Sequence, residues 1–114
     1  MAEEWPDGLD ALVAAPKHHA LLFENEHVRV LDTRVAPGET VPAHTHRWPS
    51  ALYVLSWSDF VRRDGDGNIL ADSRTKGTSF DGQALWSAPL NLHTLENVGQ
   101  KEFRAISVEV KGAA

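Results

Sequence analysis

Residues 38–46 read GETVPAHTH. A Pro37-Gly38 turn leads into β-branched residues, which favour an extended strand. On a strand, alternate side chains share one face. His44 and His46 therefore project together and offer two imidazoles to one transition metal ion. On an exposed edge the same pair would be two unrelated surface histidines, so the flanking sequence has to choose between these readings.

Outward from this stretch, short runs rich in β-branched and aromatic residues recur between Gly, Pro, Asn and Asp. They predict strands near residues 20–24, 27–35, 40–46, 50–56, 57–63, 68–73, 84–87, 92–97 and 102–110. Ala36-Pro37-Gly38-Glu39 reads as a turn, and Asp64-Gly65-Asp66-Gly67 as a hairpin turn. Many short strands and almost no helix after residue 20 argue for an all-β sandwich or barrel. Residues 1–19 form a lead-in segment, in which Leu9–Ala15 predicts two turns of helix ended by Pro16. No repeat, low-complexity tract or linker divides the rest, so one domain is expected over residues 20–111. Ala51–Leu55 (ALYVL) is apolar on both faces. Such a strand needs cover on its second face, from another sheet or from a second subunit, and the latter would make a homodimer.

The chain of 114 residues is 42% hydrophobic and 24% charged, as a globular protein is. Its 16 acidic against 11 basic residues give a net charge of −5, which disfavours nucleic acid or an anionic membrane as partner. No apolar run approaches the ~18 residues needed to span a bilayer. Met1–Trp5 lacks the positive, then apolar, pattern of a secretory signal. The absence of cysteine excludes thiolate chemistry and disulfides. A cytoplasmic location is expected. With six histidines and no cysteine, imidazole and carboxylate are the available metal ligands.

Further motif spacing identifies a resemblance. Five residues separate Gly38 from His44; ten separate Gly82 from His93, and three separate His93 from Asn97. These resemble the two motifs of the cupin superfamily, G(x)5HxH(x)3–4E(x)6G and G(x)5PxG(x)2H(x)3N. GETVPAHTH matches the opening of the first, and GQALWSAPLNLHTLEN (residues 82–97) matches the second in spacing. NEHVRVLDTRV before them and EFRAISVEVK after them are also cupin-like, so the resemblance spans residues 20–111. It implies a single-domain cupin, a double-stranded β-helix or jelly-roll barrel, with a metal site at His44, His46 and His93.

The departures from the motifs matter. The family's glutamate ligand falls at Ser50 and its next glycine at Trp57. The proline position holds Ala88, beside Pro89, and the last glycine position holds Leu90. An uncharged serine of high pKa is not assigned as a ligand. Three imidazoles can hold Fe2+, Zn2+, Ni2+, Mn2+ or Cu2+. The resemblance favours Fe2+, because some cupin Fe(II) dioxygenases use three histidines. Three neutral ligands leave the full +2 charge, which favours an anionic or enolisable small-molecule substrate. The alternatives are a non-catalytic metal- or small-ligand-binding module accessory to a catabolic pathway, and a metal-free dimer.

Other residues carry weaker expectations. Asn97 should brace the barrel end by hydrogen bonds. Arg47 and Trp48 are placed near a pocket mouth, where Arg47 would clamp a carboxylate or else be solvated. Tyr53, Trp57 and Trp86 are pocket or core aromatics. His18 and His19, lying before the barrel, are not expected to be ligands, and His27 should be exposed. Asp64-x-Asp66-x-Asn68 resembles the start of a calcium loop, but Ile69 and Thr75 stand where glycine and glutamate are required. A hairpin turn explains it better. Ser50 and Ser87 lie near histidines without a Gly-x-Ser-x-Gly elbow, so a serine hydrolase is not expected.

Overall fold

The computed structural model describes residues 5–77 and 79–112, so the first four residues of the lead-in lie outside the described residues. Nine strands follow in order: β1 (His19–Glu24), β2 (Val28–Val35), β3 (Thr40–His46), β4 (Ser50–Ser56), β5 (Phe60–Asp64), β6 (Ile69–Asp72), β7 (Ala84–Ser87), β8 (Leu90–Asn97) and β9 (Phe103–Val110). They form two antiparallel sheets, in the orders β1-β2-β9-β4-β7 and β3-β8-β5-β6. Facing each other, these make an all-β barrel, one of the two architectures that the strand spacing predicts, and the one that the resemblance implies. β5 starts later than residue 57 because Trp57 turns inward, its amide held by Asp81 Oδ1 at 2.7 Å.

Both motif glycines have a backbone reason to be glycine. Gly38 has φ +81° and Gly82 φ +71°, a region that side chains with a Cβ rarely adopt. The Gly38 amide donates to the Asn97 carbonyl at 3.0 Å, which joins the end of the second motif to the start of the first. Asn97 is fully buried. Its Nδ2 donates to the Val35 and Lys101 carbonyls, and its Oδ1 accepts from Ser58 Oγ and the Gly99 amide. It braces the barrel end as expected. The Asp64–Asn68 segment is a hairpin turn, with Asp64 Oδ1 accepting from the Asp66 and Asn68 amides at 2.9 Å.

The lead-in helix is shorter than expected. A 3-10 turn at Asp7–Leu9 precedes a single α turn, α1 (Ala11–Ala14). Asp10 divides them because its carboxylate caps the new helix, accepting from the Leu12 amide at 3.1 Å. Ala11 and Ala15 are buried, and Thr45 Oγ1 donates to the Leu9 carbonyl at 3.3 Å, so this segment lies against β3.

Inside the barrel, Val35, Val41, Val54 and Ala105 form an apolar floor with Trp57 and Phe103. Trp57 packs edge-on against Phe60, Phe80 and Phe103, with ring centroids 5.7, 5.3 and 6.0 Å away. The bulky residue at a family glycine position thus plugs one end. At the other end the usual pattern inverts. Arg29 and Glu109 point inward, opposite each other on β2 and β9, while Val28, Val30, Val108 and Val110 alternate with them.

Candidate metal centre

β3 and β8 pair so that His44 lies opposite His93. Their rings are 4.3 Å apart, and His46 lies 4.9 Å from His44 and 5.8 Å from His93. The three residues expected to act together therefore meet inside the barrel. A fourth joins them. His19, the first residue of β1, has its ring 4.8 Å from His44 and 5.3 Å from His46. The ligand atoms of His19, His44 and His46 all lie within 4.8 Å of one another, a grouping that allows a divalent metal ion to be held. Exclusion of His19 on its position before the barrel is thus corrected: β1 begins one residue earlier than expected and carries it inward. His18 stays outside the cluster, buried, with Nε2 3.5 Å from Glu39.

The hydrogen bonds fix each ring's tautomer. His19 Nδ1 meets the Ala15 carbonyl at 2.9 Å, His44 Nδ1 the Pro42 carbonyl at 2.7 Å, and His93 Nδ1 the Asn91 carbonyl at 2.6 Å. His46 Nδ1 meets Glu109 Oε2 at 2.9 Å. Every one of these partners can only accept, so each Nδ1 carries the proton and donates it. The Nε2 atoms of His19, His44 and His93 are left as lone pairs. His44 and His46 bring their Nε2 atoms to 3.2 Å, close enough to share one metal ion or one proton. Two imidazoles on a tetrahedral ion, at the usual metal–nitrogen distance, would stand about 3.3 Å apart. The donor set therefore fits a divalent transition metal. Donated Nδ1–H groups are also the usual outer support of metal-binding histidines.

Electrostatics keep three of the rings neutral. Burial foremost, then neighbouring imidazoles, pushes His44 down to about 3. Burial likewise pushes His19 to about 3 and His93 to about 4, against the opposing pull of their backbone acceptors. Neutral imidazole is the form that binds metal.

Behind His46 runs a buried chain of charges. Glu109 bonds His46 through one oxygen and Arg29 Nε through the other. Arg29 in turn grips both oxygens of Asp10 at 2.9 Å. Burial alone would raise both carboxyls. The Arg29 guanidinium and the Leu12 amide outweigh it at Asp10, and His46 and Arg29 outweigh it at Glu109, so both are held below their ordinary values. Two acids and one arginine leave one net negative charge beside the imidazole cluster.

The four rings line a cavity of about 410 Å³ shared with the apolar floor. Trp48 and Ser50 also line it, and Trp86, largely exposed, sits on its wall. Arg47 does not. It is tied to the lead-in, bonding the Trp5 carbonyl at 2.9 Å and Asp7 Oδ1 at 2.6 Å, so of the two expectations for it neither the substrate clamp nor the merely solvated side chain describes it. Tyr53 is on the outer face, half exposed, and His27 is exposed as expected. Three contributors to the site escape a reading along the chain: His19, Glu109 and Arg62, whose side chain also lines the cavity. Only one local signal was available, a charged residue at an inward position of β9.

This barrel has the fold of solved cupin structures. A cupin domain from Bordetella pertussis superposes with TM-score 0.63 at 18% identity, over 82% of this chain and 92% of that one. An RmlC-like cupin family protein from Methanocaldococcus jannaschii, with a double-stranded β-helix fold, gives 0.56 at 17% identity, over 81% and 77%. A polyketide cyclase from Streptomyces resistomycificus gives 0.53 at 18% identity, over 85% and 67%. No protein-family model and no curated protein matches the sequence. Among the described residues, no helix is long and apolar enough to cross a membrane.

Proposed function

We propose that this cupin-fold protein binds one divalent transition metal ion through His44, His46 and His93, with His19 as a fourth ligand, and uses it on a small organic molecule held in the adjoining cavity. The observation that carries this is the set of lone pairs at Nε2 of His19, His44 and His93, whose Nδ1 atoms each donate to an obligate acceptor. Fe2+ is the favoured ion and a dioxygenase-like oxidation the favoured chemistry. Such an ion would supply Lewis acidity and redox capacity. The protein's own part is to hold the rings in one tautomer, to keep Asp and Glu out of the cavity wall, and to shield the site with Trp48 and the apolar floor. The reading as a cytoplasmic, single-domain enzyme over residues 20–111 belongs to the same proposal.

A second reading has its own support. Four imidazoles satisfy a tetrahedral ion completely, and a closed sphere marks a structural or ligand-storing module rather than a catalyst. Metal analysis of freshly purified protein tests the common claim. About one equivalent of a transition metal is expected, falling below a tenth in His44→Ala and His93→Ala. Retention of full metal by both variants, or none in the wild type, would overturn it. The absorption of the Co2+-loaded protein then separates the readings, intense bands marking four-coordination and weak ones an open, higher-coordinate ion. Uptake of O2 by the Fe2+-loaded protein with carbonyl or phenolic compounds tests the oxidation itself.

A further inference from the structure

β5 turns Phe60 and Arg62 toward the cavity, and Arg62 pairs across with Leu95, two residues from His93. The Arg62 Nε is buried and has no hydrogen-bond partner. Six other arginines, Arg29, Arg34, Arg47, Arg63, Arg74 and Arg104, each form an ion pair with a carboxylate; among the described residues Arg62 forms none. The Phe60 ring centroid lies 5.7 Å from its guanidinium carbon. Burial alone acts on it, lowering its pKa with no opposing acid, and its charge is felt at His93.

An uncompensated buried cation is costly, and sites that keep one tend to be functional. The rest of the cavity sharpens the point. No aspartate or glutamate lines it, burial holds His19, His44 and His93 neutral, and its floor is Leu52, Val54, Trp57, Phe60 and Phe103. Arg62 is thus the one arginine in the lining, among imidazoles, hydroxyls and apolar side chains. A volume of about 410 Å³ has room for a ring with a short side chain.

We infer that the cavity takes a small carboxylate with an apolar, ring-sized body, and that Arg62 receives the carboxylate by its guanidinium fork. The inference deepens the metal-centre reading by naming the substrate class, and it rests on that reading only for the fate of the other end of the molecule. Arg62 recognises the anion whether or not the ion is bound. Guanidinium and carboxylate pair two hydrogen bonds at a time, so the arginine also sets the molecule's orientation toward His93.

Phenylacetate and its neutral near-isostere phenylacetamide are the probes, titrated into the full chain by calorimetry and by the fluorescence of the cavity tryptophans. Wild type, Arg62→Met and Arg62→Lys are each compared after chelator treatment and after metal loading. In metal-free wild type, phenylacetate should bind at least tenfold more tightly than phenylacetamide. Arg62→Met should bring the two within twofold, and Arg62→Lys should keep part of the preference. Because Arg62→Met removes a buried charge that lacks a partner, its ligand-free Tm should rise, and a fall would count against the inference. Equal binding of the two probes by metal-free wild type, or a preference that survives Arg62→Met, would overturn it. A preference seen only in metal-loaded protein would also overturn the role of Arg62 while leaving the metal centre standing. Absence of metal binding with the Arg62-dependent preference intact would do the reverse.

Discussion

Glu109 shows how much of the site depends on one side chain outside the cavity lining. It is buried to 1% exposure and divides its two oxygens between His46 and Arg29. In Glu109→Gln the amide can still accept from one of them, but the charge that offsets Arg29 is gone. Breaking a buried pair in this way costs about 3–5 kcal/mol, and loss of an outer partner of a metal-binding histidine weakens metal affinity by about 10–100-fold. Both losses are expected together in Glu109→Gln, read by urea unfolding and by competition with a metal chelator. Unchanged metal affinity would show that the His46 ring is held in place without it. At this scale strand alternation and motif spacing made the nearness of the His44, His46 and His93 rings legible, though not what they hold. His19 was not, since its approach depends on pairing with Thr33 across the β1–β2 hairpin, not on any period within its own segment. Arg62 was equally hidden, beside an Arg63 that simply pairs with Glu96 on the surface.

Among the elements, the short lead-in does more than its one helical turn suggests. Ala15 holds His19 through its carbonyl, and Asp10 holds Arg29. Replacing Asp10 by Ala removes a helix cap, worth about 0.5–2 kcal/mol, and also leaves Arg29 with half its compensation. Asp10→Ala should therefore unfold at lower urea and bind metal more weakly than wild type. A variant with unaltered metal affinity would mean that the lead-in only covers the barrel. All nine strands could be read from β-branched alternation and turn residues, because those signals are local. The splitting of the helix at Asp10 could not, since the carboxylate that caps it is fixed by an arginine nineteen positions along the chain. Trp57 was opaque for the same reason: its partners Phe60, Phe80 and Phe103 come from three separate segments.

For the whole molecule, the buried histidines predict how stability follows pH. His19 and His44 stand near 3 and His93 near 4 in the folded chain, chiefly through burial, against an ordinary 6.5. Between these values the unfolded chain binds more protons than the folded one, so stability rises with pH across that interval. It is complete above about 6.5 and lost progressively as pH falls toward 4 and then 3. Metal-free protein should show a lower urea midpoint at pH 5 than at pH 7.5, and a flat profile would contradict neutral burial of these rings. The homodimer expectation belongs to the same scale. Leu52 and Val54 point inward, but Tyr53 and Leu55 stay 48% and 44% exposed, with Leu22 and Phe23 of β1 also uncovered on the five-stranded sheet. A dimer of about twice 12.6 kDa is expected by light scattering, and a monomer at micromolar concentration would refute it.

The route from His46 to Asp10 joins residues from the start, the early middle and the far end of the polypeptide. A ribosome-bound chain that has not yet released β9 lacks the carboxylate that orients His46, and lacks the central strand between β2 and β4 as well. If the proposed ion is bound, its cage is completed only once translation has delivered Glu109, and a cation met earlier in synthesis would find it half built.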